Sequence, residues 1–341
     1  MDKMHVSLKD LAEELHISIS TVSRALKNHP DISPALTQKV QELAKQRHYI
    51  PNPYAIRLLK QGSKTIGVIV PDIVTHFYSS VISGIEAYTK EKGYAVVISS
   101  SQESCLKEKD NIDNLLNLRV DGLIICLSKQ TTDFKHFDKI IEGNTPLVFF
   151  DRVCRTGEIS SVVADNYEAA RMATLHFFQT GSKRIAFING PGDLNIAKER
   201  LSGYLAGLKD CGLKISKDLL ASCDMTPESA TSATQKLLAL DVIPDAILSI
   251  NDTVAFAAMK EIKKQGLKIP KDIALVGFTD EFHATIVEPE LTSIMHPTFE
   301  MGQEAARLLI NQLESKIPET PRQIVMRTRL VIRESSIKNS K

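Results

Sequence analysis

Hydrophobic residues recur along this chain in two rhythms. Up to about residue 46 they stand three and four apart: Leu8, Leu11, Ala12 and Leu15, then Val22, Ala25 and Leu26, then Leu36, Val40, Leu43 and Ala44. Each set lays one apolar stripe along a short helix. The start signals agree. Ser7-Leu8-Lys9-Asp10 fits a capping box, Ser18 precedes the second stripe, and Ser33-Pro34 places a cap before a first-turn proline. From Lys64 onward the apolar residues come in nearly unbroken runs: TIGVIV (65–70), YAVVIS (94–99), GLIICL (122–127), PLVFF (146–150), RIAFI (184–188), AILSI (246–250) and IALVGF (273–278). Such runs are how strands covered on both faces of a parallel sheet read. Helical patterns over 80–90, 109–118, 167–178 and 254–264 separate them, so two βαβ series predict two α/β lobes.

The second short helix is unusual in composition. In ISISTVSRALKN (17–28) the buried face is narrow, while Ser20, Thr21, Ser23 and Arg24 point elsewhere. Two helices joined by a tight turn and braced by a third follow the helix-turn-helix plan. Short hydroxyls allow close approach to bases or phosphates, and Arg24 can pair with guanine. A plain three-helix bundle with a solvated polar face shares this pattern. The following stretch YIPNPYAIRLLK (49–60) offers Asn52 as a cap, a proline, and about two helical turns, too few to be stable alone. Gly62-Ser63 leaves Leu58 and Leu59 little to pack on. Either this is a linker with helical bias, or it is a hinge that orders on DNA and drives a leucine into the minor groove.

Charge supports the head as a separate module. Residues 1–62 hold nine Lys/Arg against six Asp/Glu, whereas the rest of the 341-residue chain holds 33 basic and 35 acidic residues. A basic head on a faintly acidic body is a hint of nucleic-acid binding. In the body, the predicted strands end in Pro71-Asp72, Asp151-Arg152, Asn189-Gly190, Asn251-Asp252 and Thr279-Asp280. Ligands of open parallel sheets sit at those ends. Carboxylates, amides and arginines there suit a hydroxyl-rich ligand, with Phe77-Tyr78 as a stacking face. Taken singly, an Asp or Asn after a strand is usually a helix cap; it is the convergence of several on one edge that points to a ligand.

The runs VSLKDLAEELHISISTVSRALKNHPDIS, YIPNPYAIRLL and SKTIGVIVPDI resemble the lactose-repressor (LacI/GalR) family of bacterial transcription regulators, and the resemblance extends over essentially the whole chain. It implies an α/β protein with an N-terminal three-helix helix-turn-helix head and a two-lobed, doubly wound, periplasmic-binding-protein-like core. Residues 1–50 would form the head, 51–63 the hinge and linker, and 64–341 the core. The N-lobe would span about 64–164 and 296–325, the C-lobe about 165–295 and 326–341. The resemblance further implies that Ile19, Ser20 and Arg24 read bases, that Ser7, Thr21 and Ser23 meet phosphates, and that Asn52 and Leu58 serve the hinge, Leu58 as the wedge. Phe77, Tyr78, Asp151, Arg152, Arg200, Asn251 and Asp252 would line the effector cleft, joined by Asp72 and Asp280 from the strand ends. Three positions depart from the family: His16 replaces the usual turn glycine, Ile56 a hinge arginine, and Thr279 an acidic residue.

Competing classes fit poorly. The first strand–helix junction, PDIVTHFYSS, lacks the glycines of a dinucleotide fingerprint, and there is no P-loop. Asp151 and Asp252 could be imagined as a glycosidase pair, without the other marks of a catalytic site. An exported sugar-binding protein would carry a signal peptide, which MDKMHVSLKD does not resemble. Five scattered cysteines (Cys105, Cys126, Cys154, Cys211, Cys223) form no metal-ligand spacing and suit a reducing compartment. The expectation is a cytoplasmic homodimeric regulator without cofactor or metal. It would bind a pseudo-palindromic double-stranded operator under control of a sugar or sugar derivative, and VIRESSIKNSK is too short for a further heptad segment that would make a tetramer.

Overall fold

Ser7 closes the first turn of α1 (Leu8–Glu14) from both directions. Its Oγ accepts the Asp10 N–H (3.2 Å), and Asp10 Oδ2 accepts the Ser7 N–H (2.7 Å). The structure, a computed structural model, describes residues 6–49, 62–315, 317 and 319–338. The chain divides into two units, residues 1–63 and 64–341.

In the first unit, α2 (Ile19–Leu26) starts at Ser18 and α3 (Pro34–Gln46) at Ser33, each serine accepting an N–H of the first turn. Leu11, Val22, Ala25 and Val40 are fully buried where the three helices meet, flanked by Ala12 and Ala44. Leu26, expected on the buried face, is only half-buried. Burial of each larger apolar side chain stabilises this unit by about 1.5–3 kcal/mol. The fork from Arg47 to Glu14 (3.0 and 2.9 Å) joins α3 to α1, but it is exposed and adds less than about 1 kcal/mol.

No glycine occurs before Gly62, yet all three helices end on a left-handed residue: His16 (φ 52°), Asn28 (φ 54°) and His48 (φ 51°). Beyond each, an N–H returns to the last turn, from Ile17 to Ala12 O (3.0 Å), His29 to Arg24 O (3.0 Å) and Tyr49 to Ala44 O (2.8 Å). This Schellman closure satisfies carbonyls that would otherwise be orphaned. At His16 it compensates a left-handed cost of about 1–2 kcal/mol that glycine would not carry. Asn52, Ile56 and Leu58 lie outside the described residues, as does the rest of 50–61.

The second unit holds two six-stranded sheets. One contains β1 (Thr65–Val70), β2 (Ala95–Ser100), β3 (Gly122–Ile125), β4 (Leu147–Phe150) and β5 (Ser160–Ala164), all parallel. The other contains β6 (Ile185–Asn189), β7 (Leu220–Ser222), β8 (Ala246–Ser249), β9 (Ala274–Thr279) and β10 (Thr292–Met295). Two late strands then take an edge each: β11 (Gln323–Met326) pairs parallel with β5, and β12 (Arg329–Val331) antiparallel with β10. The orders are β11-β5-β4-β3-β1-β2 and β12-β10-β9-β8-β6-β7, so the chain passes between the sheets after β5, β10 and β11. Every residue of β3, β4 and β8 is buried, as their unbroken apolar runs require.

Helices cover the sheets. The first sheet carries α4 (His76–Glu91), α5 (Cys105–Asn117), the short α6 (Asp138–Glu142) and, from late in the chain, α11 (Thr298–Glu314). The second carries α7 (Asn166–Gln179), α8 (Asn195–Asp210), α9 (Pro227–Leu238) and α10 (Asp252–Lys264). Two pairs pack backbone to backbone. A Cβ on Gly84 of α4 would lie 2.0 Å from the Phe299 carbonyl oxygen of α11, and one on Gly302 of α11 2.0 Å from that of Val81. Gly203 of α8 meets the Tyr167 carbonyl of α7 at the same distance.

Candidate functional site

On the head, the composition of α2 resolves into two faces. Val22 and Ala25 are buried, whereas Ile19 (48% exposed), Ser20 and Arg24 face outward. Ser7, at the start of α1, is exposed as well, and Thr21 and Ser23 are half-buried. Ser18 Oγ lies 2.7 Å from Ser20 Oγ and 2.8 Å from Thr21 Oγ1, a knot of hydroxyls at the N-terminus of α2. A helix N-terminus lined with hydroxyls favours phosphate oxygens. The Arg24 guanidinium is held only loosely, 3.8 Å from Asp31 and largely exposed, and is therefore available to a new acceptor.

In the body, a cavity of about 290 Å³ opens at the carboxyl ends of both sheets. The loop after β1 brings Asp72 and Thr75, and α4 brings Phe77 and Tyr78 in an edge-to-face pair with centroids 5.1 Å apart. Asp72 also accepts the Val74 N–H (2.8 Å) and the Thr75 hydroxyl (2.7 Å), which shapes the turn. Asp151 and Arg152 follow β4. From the other lobe come Arg200 on α8, the start of α9 at Thr226, Asn251 and Thr253 at the start of α10, Thr279 at the end of β9 and Glu281 just beyond it. Asn251 both caps α10, its Oδ1 accepting the Val254 N–H (2.9 Å), and faces the cavity.

Strain gathers here. Among the lining residues Glu103 (φ 59°), Asp151 (φ 56°), Met225 (φ 67°) and Thr279 (φ 105°) are left-handed without being glycine. Each costs about 1–3 kcal/mol, which persists where surrounding structure demands it and often marks a ligand site. The two lobes are stitched beside the cavity by Asn195, which donates to the Asp151 carbonyl (3.1 Å) and accepts the Val153 N–H (3.1 Å).

The charged groups are tuned by burial. Desolvation pushes the Asp151 carboxyl above its ordinary range, against the pull of Arg200 and Arg152. Arg200 stacks 4.3 Å over Phe278, donates to Asn166 Oδ1 (2.8 Å) and to the Ile250 carbonyl, and is lowered to about 10, chiefly by burial. Its neighbour His296 falls to about 3 by burial and by the Arg200 charge, so its imidazole is neutral and Nε2 can accept from Arg200 Nη2 (3.5 Å).

Asp72, Phe77, Tyr78, Asp151, Arg152, Arg200 and Asn251 all meet at this cavity; Asp252 and Asp280 do not. Asp252 is fully buried behind the wall. It accepts Ser293 Oγ–H (2.6 Å), the Glu281 N–H (2.8 Å) and Thr279 Oγ1–H (3.3 Å), and so holds the 279–281 turn in shape. Asp280 turns to Arg333, whose Nη1 donates to it (2.6 Å). Asn189 likewise serves structure, donating to the Ala197 carbonyl. Glu103, Lys129 and Glu281 were not anticipated. The strand-end rule would have found the first two had it been applied to β2 and β3. Glu281 is placed by the left-handed turn at Thr279 and Asp280. Among the described residues no group of His, Cys, Asp and Glu could hold a metal ion, and no helix is long and apolar enough to cross a membrane.

Comparison with known proteins accounts for both surfaces. Residues 7–52 match a family described as bacterial regulatory proteins, lacI family. Residues 63–334 match periplasmic binding proteins and sugar binding domain of LacI family. The HTH-type transcriptional repressor CytR of Escherichia coli strain K12 is 34% identical over 91% of this chain and 90% of its own length. Among solved structures, the lac repressor dimer bound to operator and the anti-inducer ONPF superposes with a TM-score of 0.84 at 27% identity, over 97% of this chain and 99% of that one. The transcriptional regulator CelR–cellobiose complex gives 0.75 at 29% identity, with the same coverage. With a DNA-binding head and a ligand-binding core that together span most of its length, this chain belongs to the lacI family of bacterial transcription regulators.

Proposed function

We propose that this chain is a cytoplasmic, homodimeric repressor that releases or grips a pseudo-palindromic operator according to a sugar or sugar derivative held between its lobes. Residues 1–50 serve as the head, 51–63 as the hinge and 64–341 as the effector core. In the head, α2 enters the major groove with Ile19, Ser20 and Arg24 at base edges and Ser7, Thr21 and Ser23 at phosphates. Asn52 and Leu58 act at the hinge, with Leu58 as the minor-groove wedge. One head makes few base contacts, so two-fold pairing is what lends the complex specificity. Closure of the lobes on the effector moves the paired hinges, and the two ligands are linked by about 1–3 kcal/mol. The reading contains no catalytic step.

The observation that carries the effector reading is the cavity itself. Residues from both lobes converge on it, an aromatic pair offers a flat face, and carboxylates stand ready to accept from hydroxyls. The printed ligand of the CelR complex, cellobiose, supports a carbohydrate. A thermal-shift screen of sugars and nucleosides on the full chain tests it. A hit is expected to disappear in Arg152→Ala with operator binding kept. A hit that survives Arg152→Ala sends the effector elsewhere. For the head, Arg24→Ala is expected to cost about 1–3 kcal/mol of operator discrimination, and an unchanged selected consensus removes Arg24 as a base reader.

A further inference from the structure

The cations of the cavity are already spoken for, whereas two of its carboxylates are not. Arg200 is engaged by Asn166, Ile250 and His296. Lys129 Nζ donates to the Asp224 carbonyl (2.8 Å) and lies 3.8 Å from its carboxylate. Arg152 Nη1 donates to both oxygens of Glu103 (2.9 and 2.8 Å) and toward the Leu127 carbonyl (3.4 Å). By contrast, no hydrogen bond reaches the carboxylates of Asp151 or Glu281 among the described residues. Arg152 Nε is buried without a partner. The cavity thus presents carboxylate oxygens free to accept, and its four carboxylates outnumber its three cations.

Glu103 is built for this position. It and Gln102 are consecutive left-handed residues (φ 59° and 50°) between β2 and α5, a costly way to turn a side chain. Its Oε2 also accepts the Lys129 N–H (2.7 Å), so the carboxylate is fixed by three donated hydrogen bonds. A hydroxyl can donate to Asp151 or Glu281 and still accept a hydrogen bond from a neighbouring donor. A phosphate or carboxylate brings mainly acceptors and a negative charge of its own, and it would meet surplus negative charge in a desolvated space.

We propose that Glu103 is a specificity-determining residue: by occupying Arg152 it reserves the cavity for uncharged, hydroxyl-bearing effectors and turns away phosphorylated or carboxylated ones. The proposal rests on the effector-site reading above, and it is tested without knowing the effector. Calorimetric titration of the full chain at fixed ionic strength, with inorganic phosphate and with D-ribose 5-phosphate, compares wild type, Glu103→Gln, Glu103→Asp and Glu103→Gln/Arg152→Met. The expected result is no saturable binding to wild type or Glu103→Asp. Glu103→Gln is expected to bind phosphate at least tenfold more tightly than wild type, and the gain to vanish in the double variant. Saturable binding to wild type, or a folded Glu103→Gln as blind as wild type, overturns the proposal. The wild-type titration keeps its force even if a variant does not fold. Failure of the neutral-sugar screen is a separate outcome, because a sugar site that also admits phosphates would pass that screen and fail here.

Discussion

The head and the body put their chemistry on opposite sides of their cores. In the head, a small apolar centre of Leu11, Val22, Ala25 and Val40 leaves Ser20 and Arg24 facing outward. In the body, two sheets with helices on both faces enclose the site, and Arg152 and Arg200 are almost wholly buried. The backbone differs in the same sense. The head closes its helices on His16, Asn28 and His48, whereas the body closes four of its helices on Gly93, Gly181, Gly212 and Gly266, uses Gly84, Gly302 and Gly203 to bring helices into backbone contact, and places left-handed side chains at its cavity. A surface that reads an external partner needs only a modest scaffold. A desolvated cavity of paired charges needs dense packing to hold it.

The largest test of this contrast is Gly302→Val. Its side chain would meet the Val81 carbonyl, a group that cannot move without unseating α4. More than about 4 kcal/mol of stability should be lost from the body, with the head transition unchanged in calorimetry. A single transition shifted as a whole would show that the two units do not unfold separately.

Next comes Asp252. Burial lifts its pKa to about 7, above the hydrogen bonds from Ser293 and Glu281 that would lower it. The folded state therefore keeps a proton that the unfolded chain releases near pH 4. Stability from this group is full below that pH and is lost as pH rises toward 7, by up to about 1.4 kcal/mol per unit. Between pH 4.5 and 7.5, denaturant titration should find wild type losing about 3 kcal/mol relative to Asp252→Asn. Parallel curves for the two proteins would mean that Asp252 is ionised throughout.

The smallest effect is expected at Ser7→Ala, which opens the capping box of α1 and should cost the head about 1 kcal/mol. A loss several times larger would show that the head has less stability in reserve than its buried side chains imply.

What sequence reasoning could and could not see follows from the range of the interactions. The caps at Ser7, Ser18 and Ser33 are contacts within four residues, so they stand in the letters themselves. The strands buried on both faces were visible as apolar runs. Strands β7, β11 and β12 were not, because they are short and half-exposed, whereas β5 and β10 are largely buried but break their apolar residues with Ser160-Ser161 and Thr292-Ser293. The run YAVVIS shows the converse, since β2 is an edge strand with no buried residue. In the cavity, the strand-end rule located Asp72, Asp151, Arg152 and Asn251, yet it could not choose between adjacent residues. Whether Asp280 or Glu281 faces the ligand depends on the left-handed backbone at Thr279 and Asp280 and on Arg333, fifty-three residues away. That information is tertiary.

The late arrival of β11 and β12 bears on biosynthesis. Each takes the edge of a different sheet, and α11, which packs against α4, also comes after residue 297. During translation the head has all three of its helices once residue 46 is free, whereas neither lobe can finish until the ribosome has delivered residues 323–331. Nascent chains thus pass through a stage with a folded DNA reader and an unfinished sensor. Stop codons or proteolytic nicks in that window would yield fragments able to touch DNA yet deaf to any metabolite.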